Sequence, residues 1–322
     1  MVDSVISPRA EPGIVVGISA CLLGHKVRYD GGHKRADFCE QILSHYFQFE
    51  PVCPEVAIGL GVPRPTIRLV QRQGETRVEA GDGSFDVTQP LTDYAMTMSQ
   101  KLGHLSGYVF CAKSPSCGME RVRLYGEAAG AKVGIGVYAR TLMQQLPLLP
   151  VEEDGRLNDP ELRENFVMRV FAYHDWQQLC RQGVTRGRLI AFHSRYKYQL
   201  LAHHPGAYRE LGRYLANMTE LPLQHIAERY SAGLMQALRC RATRRNHTNV
   251  LQHLQGYFKK QLTAAQKAEL QGSIDKYRRG ILPLMAPMTL LQHYLREYPN
   301  AYLQQQVYLH PYPEELALRY GL

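Results

Sequence analysis

The first half of the chain alternates short apolar runs with longer segments in which apolar residues recur at helical spacing. Residues 14–18, 47–52 and 107–110 have the length and composition of strands, and residues 66–70 and 146–151 predict two more. Helices are predicted at 33–46, at 134–145, and from Asp86 or Thr88 to about His104, with a polar hairpin or excursion at 71–85. This alternation predicts an α/β domain with a mostly parallel sheet.

The second half changes to helical periodicity from about Asp159 onward and has few clusters of β-branched residues. Asp159 is placed to cap a helix, and Pro160 suits the first turn of that helix. The pattern predicts helices at 160–180, 188–203, 208–217, 222–238, 248–262 and 264–279. A short acidic, glycine-containing stretch at 152–158 marks the boundary. The sequence therefore predicts an α/β domain at 1–155 and an all-α helical domain at 156–322.

Charge separates the same two halves. Residues 1–150 carry 15 Lys and Arg against 14 Asp and Glu, whereas residues 151–322 carry 23 against 15. Between Arg186 and Arg279 the count is 17 basic residues against 5 acidic ones. A near-neutral half followed by a basic half is typical of a catalytic unit joined to a part that holds a polyanion. The alternative is a solvated helical surface that is basic without a nucleic-acid partner.

The expected compartment is the cytoplasm. No apolar run reaches the roughly 18 residues of a spanning helix, and the first residues lack the basic and apolar regions of a secretory signal. Seven cysteines without close pairing in 322 residues predict reduced thiols rather than a disulfide framework.

Cys21, Cys53 and Cys117 each lie just past a predicted strand, in a loop rich in Gly, Pro or Ser. Because the loops after parallel strands emerge at one edge of the sheet, the three thiols are expected to converge. Three thiolates without the paired C-x-x-C spacing of structural zinc suit a 4Fe–4S cluster that keeps one iron open. The alternative is three buried structural cysteines.

Four oxygen-bearing side chains accompany these cysteines. Glu55 lies two residues after Cys53, and the hydroxyls of Ser114 and Ser116 precede Cys117. A carboxylate and hydroxyls beside a metal can position water or move protons, so these residues and Asp30 are candidate catalytic groups. The alternatives are local: Glu55 caps a helix, the serines satisfy turn amides, and Asp30 belongs to a Gly-Gly turn.

Four motifs of the first half resemble the thiouracil desulfidase family: Cys21-Leu22-Leu23-Gly24, Val27-Arg28-Tyr29-Asp30-Gly31, Cys53-Pro54-Glu55 and Lys113-Ser114-Pro115-Ser116-Cys117-Gly118. The resemblance implies an α/β fold and a 4Fe–4S cluster bound through Cys21, Cys53 and Cys117, whose open iron takes the substrate sulfur. Four other cysteines match no ligand position: Cys39, Cys111, Cys180 and Cys240. Of these, Cys111 is near enough to Cys117 in sequence to substitute for it.

The second half is similar to the helical module often fused to that desulfidase, in the stretches 192–197, 203–205 and 249–260. The two-part form resembles the tRNA 4-thiouridine desulfidases, which implies conversion of 4-thiouridine in tRNA to uridine with release of sulfide. On this interpretation eight basic residues are the candidates for tRNA phosphate contacts: Arg195, Lys197, Arg239, Arg241, Arg244, Arg245, Lys259 and Lys260.

Three alternatives stay open at this point. In the first, the enzyme acts on free thiouracil or a thionucleoside, and the helical half forms a homodimer. In the second, the chain is a non-enzymatic nucleic-acid-binding protein whose cluster is structural. In the third, the same cysteines hold zinc in a hydrolase. In the desulfidase reaction no net redox change is needed, so no electron donor is expected. The sequence predicts no membrane partner.

Overall fold

The computed structural model describes residues 13–126, 132–217 and 221–319. The chain divides into two compact units between Asp159 and Pro160. The division lies past residue 155 because the turn Arg156–Asn158 is bound to the first unit: the Arg156 guanidinium donates to Glu152 at 2.5 Å and to Glu120 at 2.8 Å. No helix of the described residues is both long and apolar enough to cross a bilayer.

A four-stranded parallel sheet forms the centre of the first unit. Its strands are β1 (Val15–Ser19), β2 (Gln48–Val52), β5 (Gly107–Phe110) and β8 (Val151–Glu153), in the spatial order β2-β1-β5-β8. All three pairings are parallel, so the loops after these strands leave at one edge. The predicted α/β class with a parallel sheet is confirmed.

A second, mixed sheet was only partly predicted. It has the order β4-β3-β6-β7, built from β3 (Ile67–Arg72), β4 (Glu75–Ala80), β6 (Val122–Gly126) and β7 (Lys132–Gly134). The segment predicted as a polar hairpin or excursion supplies β4, which pairs antiparallel with β3. The turn between them uses Gln73 and Gly74, both with positive φ, as a two-residue hairpin requires. One face of this sheet buries Leu69 and Val78.

Three α-helices accompany these sheets: α1 (Pro54–Ala57), α2 (Thr88–Lys101) and α3 (Val137–Gln145). The helix predicted at 33–46 is wrong in extent. Only a π-helical turn at Phe38–Ile42 and a 3-10 turn at Leu43–His45 form there. The reason is that the amides of Lys34 and Ala36 donate to the carbonyls of Cys21 and Leu22, each at 2.9 Å, and so cannot enter a helix.

The regular elements in the described residues of the second unit are all helices, as predicted. Its helices are α4 (Pro160–Arg181), α5 (Arg186–His203), α6 (Pro205–Ala216), α7 (Leu223–Arg239), α8 (Arg244–Gly256), α9 (Ala264–Arg278), α10 (Met285–Glu297) and α11 (Ala301–Gln304). Helix α8 begins four residues before the predicted start at 248 because the Thr243 hydroxyl accepts from the amide of Asn246. Leu251, Ile274 and Tyr294 contribute to a core between these helices.

Candidate metal centre

The structure places Cys21, Cys53 and Cys117 around one cavity of about 380 Å³ at the carboxyl edge of the parallel sheet. Cys21 lies in a 3-10 turn directly after β1. Cys53 joins β2 to α1, and Cys117 lies in the loop that follows β5. Three cysteines that are far apart in sequence therefore face a common space, because each follows a parallel strand of the same sheet.

The donor set suits an iron–sulfur cluster. Burial raises the pKa of the Cys53 thiol, and it raises that of Cys117 well above its usual range. Such thiols stay protonated unless a cation takes the place of the proton. Among the residues that the structure describes, no three His, Cys, Asp or Glu side chains are arranged to hold a single metal ion. The ligands of a 4Fe–4S cluster bind different irons and therefore need not surround a single ion.

Glu55 lines the same cavity and is held from behind by an arginine. The Arg64 guanidinium donates to Oε2 of Glu55 from Nε at 3.1 Å and from Nη2 at 2.6 Å. Two further donors of Arg64 bond the carbonyls of Gly61 and Val27, at 3.1 and 2.9 Å. The Arg64 side chain is only 4% exposed, so this ion pair is fixed and largely shielded from water. The carboxylate therefore presents Oε1 in one orientation.

The two serines of the Cys117 loop bond to that oxygen and to each other. Ser116 Oγ donates to Oε1 of Glu55 at 2.5 Å, and Ser114 Oγ lies 2.9 Å from Ser116 Oγ. Ser114 Oγ also accepts from the amides of Ser116 and Cys117, at 3.3 and 3.1 Å. Because those amides occupy its acceptor sites, the Ser114 hydroxyl donates toward Ser116. The result is a chain of hydrogen bonds from Ser114 through Ser116 to Glu55.

Ser116 is fully buried and does not line the cavity, whereas Ser114 does. Ser116 Oγ also lies 3.6 Å from the Cys117 sulfur. Of these two candidates, only Ser114 can touch a bound molecule directly. Ser116 acts through its neighbours and is a positioning residue.

Asp30 does not join this group. Its Oδ1 accepts from the amide of Gly32 at 2.9 Å, closing a turn in which Gly31 has φ +73°. Neighbouring Arg28 and Tyr29 line the cavity, but the half-exposed Asp30 carboxylate does not. The turn role that the sequence also allowed is the one this geometry supports.

A fourth thiol, Cys111, lines the cavity beside Cys21. A side-chain hydrogen bond with Cys21 raises the pKa of Cys111, and burial raises it further. The Lys34 ammonium lies near both sulfurs and pairs with Asp154 at 2.8 Å. Burial acts to lower the pKa of Lys34, but the bond to Asp154 and the two thiols outweigh it and raise that pKa. Asp154 also accepts from the amide of Ala112 at 2.7 Å, which anchors the start of the loop.

Glu153 anchors the other end of the cysteine loop. Its Oε1 accepts from the amides of Met119 and Glu120, at 2.6 and 3.3 Å. Burial raises the pKa of this carboxyl, while the two amides act in the opposite direction. The end of β8 thus holds both sides of the Cys117 loop.

Four supporting residues of the site were not predicted from the sequence: Lys34, Arg64, Glu153 and Asp154. The signal that could have identified them is their charge, since each lies in a loop or at the end of a strand.

The eight basic residues predicted to contact tRNA lie in several places on the second unit. Arg241 and Arg244 line one cavity of about 450 Å³. Lys197 lines an open groove together with Arg209 and Arg213, which were not predicted. Lys259 lines a third depression.

The remaining four members of that set are on the surface, and at least one is paired. Arg195 donates to Asp175 at 3.1 Å, so part of its charge is already compensated. The other three are exposed side chains outside these cavities: Arg239, Arg245 and Lys260. The eight residues do not line one common cavity, and their role in tRNA binding stays a prediction.

Comparison with known proteins agrees with the resemblance seen in the motifs. Residues 16–154 match the family model described as 2-thiouracil desulfurase, and residues 197–313 match one described as a protein of unknown function, DUF1722. The 4Fe-4S-dependent thiouracil desulfidase TudS is 30% identical, over 48% of this chain and 97% of its own, with a TM-score of 0.39.

One relative matches about half of the chain. The uncharacterized protein YbgA of Escherichia coli strain K12 is 37% identical over 166 residues, which are 51% of this chain and 98% of YbgA. We conclude that the chain belongs to the same family as YbgA and carries a 2-thiouracil desulfurase domain over residues 16–154.

Proposed function

We infer that the chain is an iron–sulfur-dependent desulfidase that replaces the sulfur of a thiolated uracil base with oxygen. The observation that carries this proposal is the shared cavity, in which Glu55 and Ser114 face the same space as Cys21, Cys53 and Cys117. The match to the 2-thiouracil desulfurase family and the similarity to a 4Fe-4S-dependent thiouracil desulfidase support the substrate class and the cofactor.

Cys21, Cys53 and Cys117 would hold the cluster, since their thiols line the cavity and match the family motifs. A 4Fe–4S cluster on three thiolates supplies a Lewis-acidic iron with affinity for soft sulfur. The cavity of about 380 Å³ lies in the size range of small-molecule sites.

In this proposal Glu55 is the residue that accepts and transfers protons. Its Oε2 is held by Arg64, so Oε1 is the oxygen left to orient water and accept a proton from it. Ser116 donates to this oxygen, and Ser114 holds Ser116 through the hydrogen bond between their hydroxyls, so the two serines keep the oxygen aimed. The overall change is C=S plus H₂O to C=O plus H₂S. The C–S bond breaks, a C–O bond forms, and no electrons enter or leave.

The free base is the substrate that the comparisons favour. Thiolated tRNA, with 4-thiouridine as the reacting nucleotide, is a second candidate. Residues 151–322 carry 23 basic and 15 acidic residues, and this excess of positive charge favours tRNA as a substrate. The groove lined by Lys197, Arg209 and Arg213 favours tRNA for the same reason. The reacting base would then have to leave its stack to reach the cavity, at a cost of a few kcal/mol that phosphate contacts can offset.

The test is sulfide release by the anaerobically reconstituted protein. We expect hydrosulfide and loss of thiocarbonyl absorbance from 2-thiouracil or 4-thiouracil, and from 4-thiouridine tRNA if the second candidate holds. Glu55→Gln should keep the cluster but reduce turnover by about 100-fold or more. Glu75→Gln, on the exposed edge of β4, is the matched control and should change nothing. Absence of sulfide from every substrate would contradict the proposal, and full turnover by Glu55→Gln would remove that residue from the mechanism.

A further inference from the structure

One polar cavity of the helical unit is not explained by desulfidase chemistry. It has a volume of about 450 Å³ and is lined by the first turns of α4 and α8, by Leu284, and by the chain segment at Leu318 and Arg319. A cavity of this volume is far larger than an inorganic anion and lies in the range of small organic ligands.

Arg244 gives the cavity an uncompensated positive charge. Its guanidinium lies 5.3 Å from the ring centroid of Tyr277, and Nη1 donates to the Tyr277 carbonyl at 2.9 Å. Gly280, with φ +81°, allows this close approach, since a Cβ there would lie 3.2 Å from Nη1. Among the described residues no carboxylate pairs with Arg244. The side chain is therefore held in place while its charge remains free.

The positive end of a helix reinforces that charge. Arg244 is the first residue of α8, and only the Asn246 amide is taken by the Thr243 cap. Arg241 adds a second guanidinium at the cavity, in an exposed pair with Glu161 that contributes little. Two arginines beside a helix N-terminus are a site for a phosphate group.

The inner part of the cavity offers polar atoms of a different kind. His247 donates or accepts at Nδ1 with the Tyr308 hydroxyl at 2.8 Å, and its Nε2 has no hydrogen-bond partner in the described chain. Arg319 uses Nε on Glu164 and Nη1 on the Tyr308 carbonyl, and it also bonds the Tyr312 hydroxyl. Oε2 of Glu164 makes no hydrogen bond in the described chain. An imidazole nitrogen and a carboxylate oxygen suit the edge of a nucleobase.

Apolar side chains complete this inner part. Met168, Leu284 and Leu318 line the cavity beside the polar atoms. Flat polar rings are bound between apolar walls with a few hydrogen bonds at their edge. One part of the cavity lining is cationic and suits a phosphate. The other part combines polar and apolar groups and suits a ring.

We propose that this cavity binds a single nucleotide, with the phosphate on Arg241 and Arg244 and the base toward His247, Glu164 and Arg319. The site lies wholly in the helical unit and does not depend on the proposed desulfidase reaction. The nucleotide is either free in solution or the 5′-phosphorylated end of an RNA strand, since both present the same chemistry.

The experiment is calorimetric titration of the full chain with uridine 5′-monophosphate, with uridine, and with a 5′-phosphorylated oligouridylate. We expect the monophosphate to bind, uridine to bind at least about tenfold more weakly, and Arg244→Ala to weaken monophosphate binding by at least about tenfold. Arg229→Ala, an exposed arginine of α7 outside the cavity, is the matched control and should bind as the wild type does.

Leu284→Trp tests the same site without a change of charge, because an indole there would fill the inner part of the cavity; it should also abolish binding. Thermal unfolding of each variant shows that it is folded. Competition between the monophosphate and the oligouridylate would assign the strand end as the source, and its absence would assign the free nucleotide. Monophosphate affinity weaker than about 1 mM in the wild type, or equal losses in Arg244→Ala and Arg229→Ala, would overturn the proposal.

Discussion

Arg64 and Glu55 form an ion pair with two hydrogen bonds to one carboxylate oxygen, at 2.6 and 3.1 Å, and the arginine side chain is only 4% exposed. The pair joins the loop that contains Arg64 to the helix turn that follows Cys53. It also leaves the second oxygen of Glu55 for Ser116 and for the cavity. A structural ion pair therefore sets the orientation of the proposed catalytic base.

Removing one partner of this pair should destabilise the fold. Arg64→Met leaves a poorly solvated carboxylate, and we expect a loss of about 3 kcal/mol in the free energy of unfolding, measured with urea. The double variant Arg64→Met with Glu55→Gln should recover most of that loss. Arg77→Met removes a pair with Glu75 in which the two side chains are 47% and 72% exposed, and it should cost less than about 1 kcal/mol. Equal losses for Arg64→Met and Arg77→Met would show that the buried pair has no special role.

The two serines should be separable by experiment. Ser114→Ala leaves the amides of Ser116 and Cys117 without their acceptor, so we expect weaker cluster retention and a stability loss of about 1 kcal/mol. Ser116→Ala leaves those amides bonded but removes the hydroxyl on Glu55 Oε1, so the cluster should stay while turnover falls about tenfold. Iron content and sulfide release measure the two effects. Identical behaviour of the variants would rule out the distinct roles.

Acid should weaken the helical unit through His203. Burial lowers the pKa of this imidazole to about 4, whereas in the unfolded chain it takes a proton near pH 6.5. The unfolded state binds more protons between these values, so stability is lost as the pH falls from about 6.5 to 4. The loss from this group is on the order of 3 kcal/mol. Urea unfolding at several pH values should show a shallower pH dependence for His203→Gln, and an unchanged slope would contradict the assignment.

Salt should distinguish the two substrate candidates. If the basic second half binds tRNA phosphates, the affinity for thiolated tRNA should fall at least about tenfold between ~50 and ~200 mM salt. The Michaelis constant for free thiouracil should be nearly independent of salt over the same range. A salt-independent affinity for tRNA would argue against phosphate contacts by the basic residues. The comparison uses the same reconstituted protein for both substrates.

The convergence of the cysteines followed from the sequence because it depends on one rule. Parallel strands put their following loops at the same edge, so the position of each cysteine after a strand was sufficient. Glu55, Ser114 and Ser116 were found for the same reason, since they lie within a few residues of Cys53 or Cys117.

The supporting residues could not be found in this way. Lys34 and Asp154 are 120 positions apart, and their contact depends on how the loop after β1 crosses the end of β8. The amides of residues 34 and 36 bond to the Cys21 turn, which no local pattern predicts and which prevents the expected helix. The eight basic residues of the second half were chosen by charge alone and line different cavities, because helical periodicity does not specify which faces of different helices meet.

The most direct measurement is the iron and sulfide content of the anaerobically reconstituted chain and of its single Cys→Ser variants. We expect about four iron and four sulfide per wild-type chain, and the same for variants of Cys111 and Cys39. Serine at position 21, 53 or 117 should abolish stable cluster binding. A cluster that survives each of those three changes but is lost in Cys111→Ser, or a chain that takes up zinc and no iron, would contradict the account.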